Sequence, residues 1–143
     1  MAELPRRRLL ALTLFMSLAT LAGAPLPAQA QLTPQFVAGD LEHPWALAFI
    51  GEGRMLVTER PGRLRVIETD GRVSEPLDGL PPIDAGGQGG LLDLVTDSAF
   101  ARNRTLYFCY SEPGEGGNST ALASARLAAD NKRIEQVRVL FSQ

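Results

Sequence analysis

From residue 44 onward, apolar and polar positions fall into short runs with the period of strands. Pro44-Trp45-Ala46-Leu47-Ala48-Phe49-Ile50 is a near-continuous apolar run, as a buried strand requires, and Gly51-Glu52-Gly53 turns the chain. Residues 54–60 form a second strand and Pro61-Gly62 a second turn. Residues 63–68 then alternate polar and apolar, as a half-buried strand does. Asp70-Gly71 is a hairpin signal, and residues 73–80 are expected to add a weak fourth strand before Pro81-Pro82.

The order then repeats. Residues 91–95 stand where the Trp45 strand stood, residues 97–104 form a longer turn, and residues 105–110 match the Met55 strand. Residues 112–119 read as a Gly-rich loop, residues 120–127 as a third strand, residues 128–132 as a turn and residues 134–141 as a fourth strand. A spacing of about 46 to 50 residues is that of four-stranded propeller blades. The expected fold class is therefore all-β, about two blades of a β-propeller. Propellers close with about four to eight blades. Two blades would leave apolar faces such as Trp45, Leu47, Leu92 and Leu94 partly uncovered. The last strand runs into Gln143 without a cap, so residues 31–143 are expected to be the N-terminal part of a larger propeller. A small protein that assembles from copies is the alternative.

The first thirty residues follow another pattern. Arg6-Arg7-Arg8 precedes an apolar stretch at residues 9–24, which Pro25-Leu26-Pro27 ends. At roughly 16 residues the stretch is short for a membrane span. Ala28-Gln29-Ala30 fits the small-x-small cleavage rule, so residues 1–30 read as a signal peptide cut after Ala30. The paired arginines leave the general and twin-arginine routes both open. The expected location is periplasmic or secreted in a bacterium, with no membrane span after cleavage. Removing residues 1–30 takes away Glu3 and three arginines and moves the net charge from −2 to −4. A mildly acidic chain without a basic stripe is not built to bind nucleic acid or anionic membranes.

Candidate chemistry is sparse. Cys109 is the only cysteine, which excludes an intrachain disulfide, and His43 is the only histidine. Cys109 reads as a small apolar side chain within a strand. Asn103-Arg104-Thr105 and Asn118-Ser119-Thr120 have the form of glycosylation sequons but read as chance in a bacterial chain. The most distinctive stretch is Gly86-Gly87-Gln88-Gly89-Gly90 before Leu91-Leu92-Asp93-Leu94-Val95. Glycines allow positive φ and close backbone approach. Gln88 offers an amide donor and a carbonyl acceptor without charge. The stretch can present one polar group at a pocket mouth, or it can be a flexible turn before a core strand.

Several ordered motifs carry a resemblance. They are Leu41-Glu42-His43-Pro44-Trp45-Ala46-Leu47-Ala48-Phe49, Leu56-Val57-Thr58-Glu59-Arg60-Pro61-Gly62-Arg63-Leu64, Gly87-Gln88-Gly89-Gly90-Leu91-Leu92-Asp93, Phe100-Ala101-Arg102-Asn103-Arg104-Thr105-Leu106-Tyr107 and Tyr110-Ser111-Glu112. Together they resemble the soluble pyrroloquinoline-quinone (PQQ)-dependent sugar dehydrogenases, the glucose/sorbosone dehydrogenase family, and most nearly its periplasmic aldose sugar dehydrogenase branch. The resemblance implies a six-bladed propeller holding PQQ, with calcium ions that bind the cofactor and support the fold. It implies oxidation of the anomeric carbon of an aldose sugar to a lactone by hydride transfer to the quinone, with a histidine as general base. The electron acceptor is not implied. Gln88 matches the family glutamine that lines the cofactor and sugar pocket. Asp93, in the same motif, reads as structural, bonding nearby backbone.

The resemblance also implies what lies elsewhere. The catalytic histidine belongs to a His-x-Gly-x-Arg-type segment expected after Gln143, and the basic cofactor clamps and calcium ligands further on. No catalytic and no metal-binding residue is therefore expected in this chain. His43 matches a loop residue ahead of the first blade, and Glu59-Arg60 reads as a strand-end ion pair or rim contact. The reading from another class is a non-catalytic exported propeller that binds carbohydrate or protein. Export with cleavage predicts a secreted product whose N-terminal residue is Gln31. N-terminal sequencing or intact-mass measurement checks this, and a product retaining residues 1–30 would contradict it.

Overall fold

The computed structural model describes residues 32–143, so the signal-peptide reading of residues 1–30 lies outside the described residues. Three strands make the first sheet, β1 (Pro44–Gly51), β2 (Arg54–Glu59) and β3 (Arg63–Ile67), paired antiparallel in sequence order. Glu52 and Gly53 link β1 to β2 with φ of 52° and 74°. Two positive φ values in a two-residue loop are what a type I′ hairpin needs, because its twist matches that of the strands.

The second sheet is a four-stranded antiparallel meander of β4 (Leu91–Thr96), β5 (Thr105–Gly114), β6 (Gly117–Leu127) and β7 (Ile134–Ser142). A single helical turn, α1 (Phe100–Asn103), stands within the longer turn expected between its first two strands. β4 lies against β1 and β2. The inner faces of the two sheets share one core. Ala48, Ile50, Leu56, Leu64 and Val66 come from the first, and Leu91, Leu94, Leu106, Phe108 and Tyr110 from the second. Across β5 and β6, Phe108 pairs with Ala123 and Tyr110 with Ala121, so each large ring faces a small residue. The two rings meet at 5.7 Å between centroids.

The structure corrects the expected pattern in three places. Residues 73–80 do not form a fourth strand. They run beside β3 through scattered bonds, Ser74 N–H to the Val66 carbonyl and Leu77 N–H to the Leu64 carbonyl, both 2.8 Å. They then cross to the second sheet, where the Ile134 N–H donates to the Asp78 carbonyl at 2.8 Å. Pro76, with no N–H to give, interrupts the ladder, and Leu77 drops into the core instead. The Gly-rich loop at 112–119 is also not a loop. β5 and β6 continue through it and close at the Gly114–Gly117 pair.

The third correction concerns the uncovered faces. Leu94 is buried, because a register shift between Leu91 and Leu94 turns both leucines inward. Leu92 is half-buried. The exposed apolar side chains include Trp45, Leu47 and Phe49 on the outer face of the first sheet, and Val95 and Phe141 on that of the second. Both ends of the stack thus keep an apolar face. Among the described residues no helix is long and apolar enough to cross a membrane.

The outer face of the first sheet also holds a buried carboxylate. Glu59 is fully buried. It accepts from Arg63 Nε at 2.7 Å, from Arg65 Nη1 at 3.3 Å and from the Glu42 N–H at 2.5 Å, tying the entry segment to β2 and β3. Burial pushes its pKa up, but the Arg63 hydrogen bond, the Glu42 N–H and the charges of Arg63 and Arg65 outweigh it, and the pKa falls below its ordinary value. A depressed folded-state pKa adds stability that is present above the unfolded value and lost as pH falls through the folded one. Glu59→Gln should therefore cost about 1.5–3 kcal/mol at pH 7, the range for hydrogen bonds to charged groups. The cost should shrink as acid protonates the wild-type carboxyl. Urea unfolding at neutral and acid pH checks this, and equal stability of the two proteins at pH 7 would contradict it.

Candidate functional site

The Gly86–Gly90 stretch follows the irregular segment at residues 73–85 and runs directly into β4. Its first half is a tight turn, closed by the Gly89 N–H donating to the Gly86 carbonyl at 2.8 Å. Gly87 occupies the first central position with φ of 59°, a position that type II′ turns give to glycine. Gln88 occupies the second central position, with an exposed side chain.

Two walls hold this turn through its backbone. Arg60, just beyond β2, donates from Nη1 to the Gly87 carbonyl at 2.9 Å and to the Gly89 carbonyl at 3.2 Å. The Arg60 carbonyl in turn accepts from the Leu91 N–H at 3.1 Å. On the other wall Asp84 Oδ1 accepts from the Gly86 N–H at 2.7 Å, and Asn118 Nδ2 reaches the Gly86 carbonyl at 3.5 Å from the β5–β6 hairpin. The exit is fixed by Ser111 of β5, whose N–H donates to the Gly90 carbonyl at 2.9 Å and whose carbonyl accepts from the Asp84 N–H at 2.9 Å.

The glycines have separate reasons. A Cβ on Gly90 would stand 2.2 Å from the Arg60 carbonyl oxygen, and one on Gly89 2.5 Å from that of Asp84. These two residues are glycine because backbone passes against them. A Cβ on Gly87 would meet nothing within 4 Å. The tip of the turn is therefore open space beside a carboxamide that makes no hydrogen bond to the described residues. Gln88 can meet a polar ligand there as donor or acceptor without placing a charge beside it.

Other residues singled out in the sequence lie apart from this role. His43 is exposed, with φ of 49°, and its carbonyl accepts the Arg60 N–H at 3.0 Å. It contributes backbone, not imidazole, to the base of the clamp. Glu59 pairs with Arg63 and Arg65, while its neighbour Arg60 turns to the glycine loop, so the two residues do not form one ion pair. Asp93 is exposed and accepts the Leu94 N–H at 3.0 Å. Cys109 is half-buried and lines a shallow recess on the outer face of the second sheet with Val95, Tyr107 and Leu122. Among the described residues no group of three or more His, Cys, Asp or Glu side chains is placed to hold a metal ion. A groove of about 380 Å³ lies on the outer face of the first sheet between Trp45, Met55 and Phe36, and no residue of the glycine turn lines it. The groove is mostly apolar, and Gln35 is the one polar side chain among the residues that line it, whereas a small-ligand site brings several polar groups together.

Three residues of the site were not singled out from sequence as loop supports. Asp84 had a local signal, since Asp-x-Gly is the spacing of a side chain that caps the N–H two residues on. Arg60 and Asn118 had none, because their partners lie 27 and 32 residues away along the chain.

Comparison with known proteins gives the family. The family model described as Glucose / Sorbosone dehydrogenase matches residues 41–143. The aldose sugar dehydrogenase YliI of Escherichia coli K12 is 40% identical over 118 residues, which cover 81% of this chain and 32% of that protein. A crystal structure of a glucose dehydrogenase superposes with a TM-score of 0.69 at 48% identity, over 72% of this chain and 30% of that one. The PQQ-bound form of an aldose sugar dehydrogenase from Streptomyces coelicolor superposes with a TM-score of 0.63 at 21% identity, over 76% of this chain and 33% of that one, a likeness of fold. The chain thus spans about a third of the length of the relatives it matches. Its two sheets are part of a β-propeller, and the chain belongs to the glucose/sorbosone dehydrogenase family.

Proposed function

We propose that this chain is the N-terminal part of an exported PQQ-dependent dehydrogenase that oxidises the anomeric carbon of aldose sugars to lactones. The observation that carries the reading is the glycine turn. Its backbone is held from two sides while the Gln88 carboxamide stands free beside open space. The family supports the reaction class, and relatives of this chain are named as glucose and aldose sugar dehydrogenases.

In this reading the net change is loss of a hydride from C1 of the sugar and a proton from its C1 hydroxyl. Bound PQQ supplies the two-electron acceptor for the hydride. Gln88 binds and orients: its N–H donates to a quinone carbonyl or sugar hydroxyl and its carbonyl accepts from a hydroxyl. Being neutral, it does so without shifting the charge balance at the reacting carbon. Proton removal belongs to a histidine in a His-x-Gly-x-Arg-type segment beyond Gln143. Calcium ligands and the basic cofactor clamps belong there too. Residues 1–30 direct export, so the enzyme works in the periplasm or outside the cell.

The test uses the complete reading frame, expressed with and without the sequence beyond Gln143 and assayed with PQQ, calcium, an aldose and a dye acceptor. Activity confined to the longer product is expected. Gln88→Ala in that product should lower kcat/KM or quinone affinity about tenfold, the loss of roughly one charge-free hydrogen bond. Stability should change by less than about 0.5 kcal/mol, as for an exposed loop side chain. Unchanged kinetics with quinone bound would overturn the role of Gln88. A folded, inactive longer product would favour a propeller that binds carbohydrate or protein.

A further inference from the structure

We infer that Arg60 is a positioning residue for the Gln88 site, acting through the glycine turn; the inference rests on the proposed role of Gln88. Four observations converge on it. One guanidinium nitrogen, Nη1, bonds two carbonyls of the turn, those of Gly87 and Gly89, which flank Gln88 directly. The Arg60 carbonyl fixes the first residue of β4, through Leu91 N–H at 3.1 Å. Gly90 leaves no space for any side chain, since even a Cβ would stand 2.6 Å from Arg60 Cγ as well as 2.2 Å from its carbonyl oxygen. Arg60 itself is anchored at the other end, its N–H donating to the His43 carbonyl at 3.0 Å. The side chain therefore links the first sheet to both sides of the one residue that faces the open tip.

The physical consequence is a restriction on Gln88. Gly86, Gly87 and Gly89 have the backbone freedom to flip, and a loop made of them pays a high entropic cost for one fixed shape. Two charge-assisted bonds to carbonyls on either side of Gln88 hold its backbone in one orientation before any ligand arrives. A carboxamide fixed in advance binds without that ordering cost. Arginine suits the task because the two N–H bonds of its terminal Nη1 are fixed in the guanidinium plane at the end of a long stem. Lysine carries the same charge with freely rotating donors on a flexible stem and holds that geometry less firmly.

The experiment uses the full-length protein and three variants, Arg60→Ala, Arg60→Lys and Gln88→Ala, with the double variant of Arg60→Ala and Gln88→Ala. Three readouts are taken: hydrogen exchange at the Gly89 amide in the quinone-free protein, quinone affinity by titration, and kcat and KM for the sugar. Arg60→Ala should speed Gly89 exchange and weaken quinone or sugar binding by up to about tenfold, no more than Gln88→Ala itself, because it acts through Gln88. Arg60→Lys should recover part of that loss. In the Gln88→Ala background, removing Arg60 should cost little more, because both changes cancel one interaction. Fully additive losses in the double variant, or unchanged Gly89 exchange in folded Arg60→Ala, would overturn the inference while leaving Gln88 its role. Silence of Gln88→Ala would overturn the role of Gln88 and the inference with it. If Arg60→Ala fails to fold, Arg60→Lys carries the same comparison, and wild-type affinity and exchange in that variant would overturn the claim that the fixed guanidinium donors are needed.

Discussion

Neither sheet of this chain can stand without the other, and the seam between them is the constraint on which the rest depends. Each sheet turns one apolar face inward, and the two faces share a single core of leucine, valine, alanine and aromatic side chains. A buried leucine or phenylalanine contributes roughly 1.5–3 kcal/mol relative to an exposed one. Leu56, Leu64, Leu91, Leu106 and Phe108 are all buried along this seam. Polar cross-links sit at its edge. Thr58, itself buried, donates from Oγ1 to the Leu92 carbonyl at 2.8 Å, where the bulge in β4 breaks the ladder with β5. A hydroxyl from one sheet thus satisfies a carbonyl that the other sheet leaves unpaired.

The site follows from the seam. Once β4 is pressed against β1 and β2, the residues ahead of it must pass the end of β2 at close quarters, and only glycine at position 90 fits against Arg60. The glycines that permit this approach would leave a loose loop on their own. Bonds from Arg60 on one side, and from Asp84 and Asn118 on the other, make it a defined turn with one side chain directed outward. Close packing and backbone hydrogen bonding therefore set the position of Gln88, while its chemistry stays free for a ligand. The outer faces tell the complementary story. Trp45 is 59% exposed at one end of the stack and Phe141 53% at the other. Apolar faces of this kind are what further blades cover in a closed propeller.

Where one strand's neighbours in sequence are also its neighbours in space, the residues alone showed the structure. β1 to β3 and β5 to β7 follow from alternation and from turns such as Glu52-Gly53, because antiparallel meanders are local. The fourth strand at 73–80 failed because an apolar residue, Leu77, can serve a shared core as well as a sheet, and Pro76 breaks the ladder. The β5–β6 tip was misread because glycines at 114, 116 and 117 signal a loop, whereas the pairing continues to Gly114 and Gly117. Leu94 was expected at an open face because strict alternation cannot anticipate the bulge. Gln88 stood out because four glycines around one polar residue is an unusual local pattern. The clamp around it was invisible, since Arg60 meets partners 27 and 29 residues away that only the folded seam brings near.

The central claim is that the turn held at the seam forms one wall of a cofactor pocket. A crystal structure of the complete protein with PQQ and a sugar bound tests it most directly. The account predicts the Gln88 carboxamide within about 3.5 Å of a cofactor or sugar oxygen or nitrogen, with the Arg60 bonds to Gly87 and Gly89 intact. A bound cofactor elsewhere on the propeller, with Gln88 still facing solvent, would contradict it.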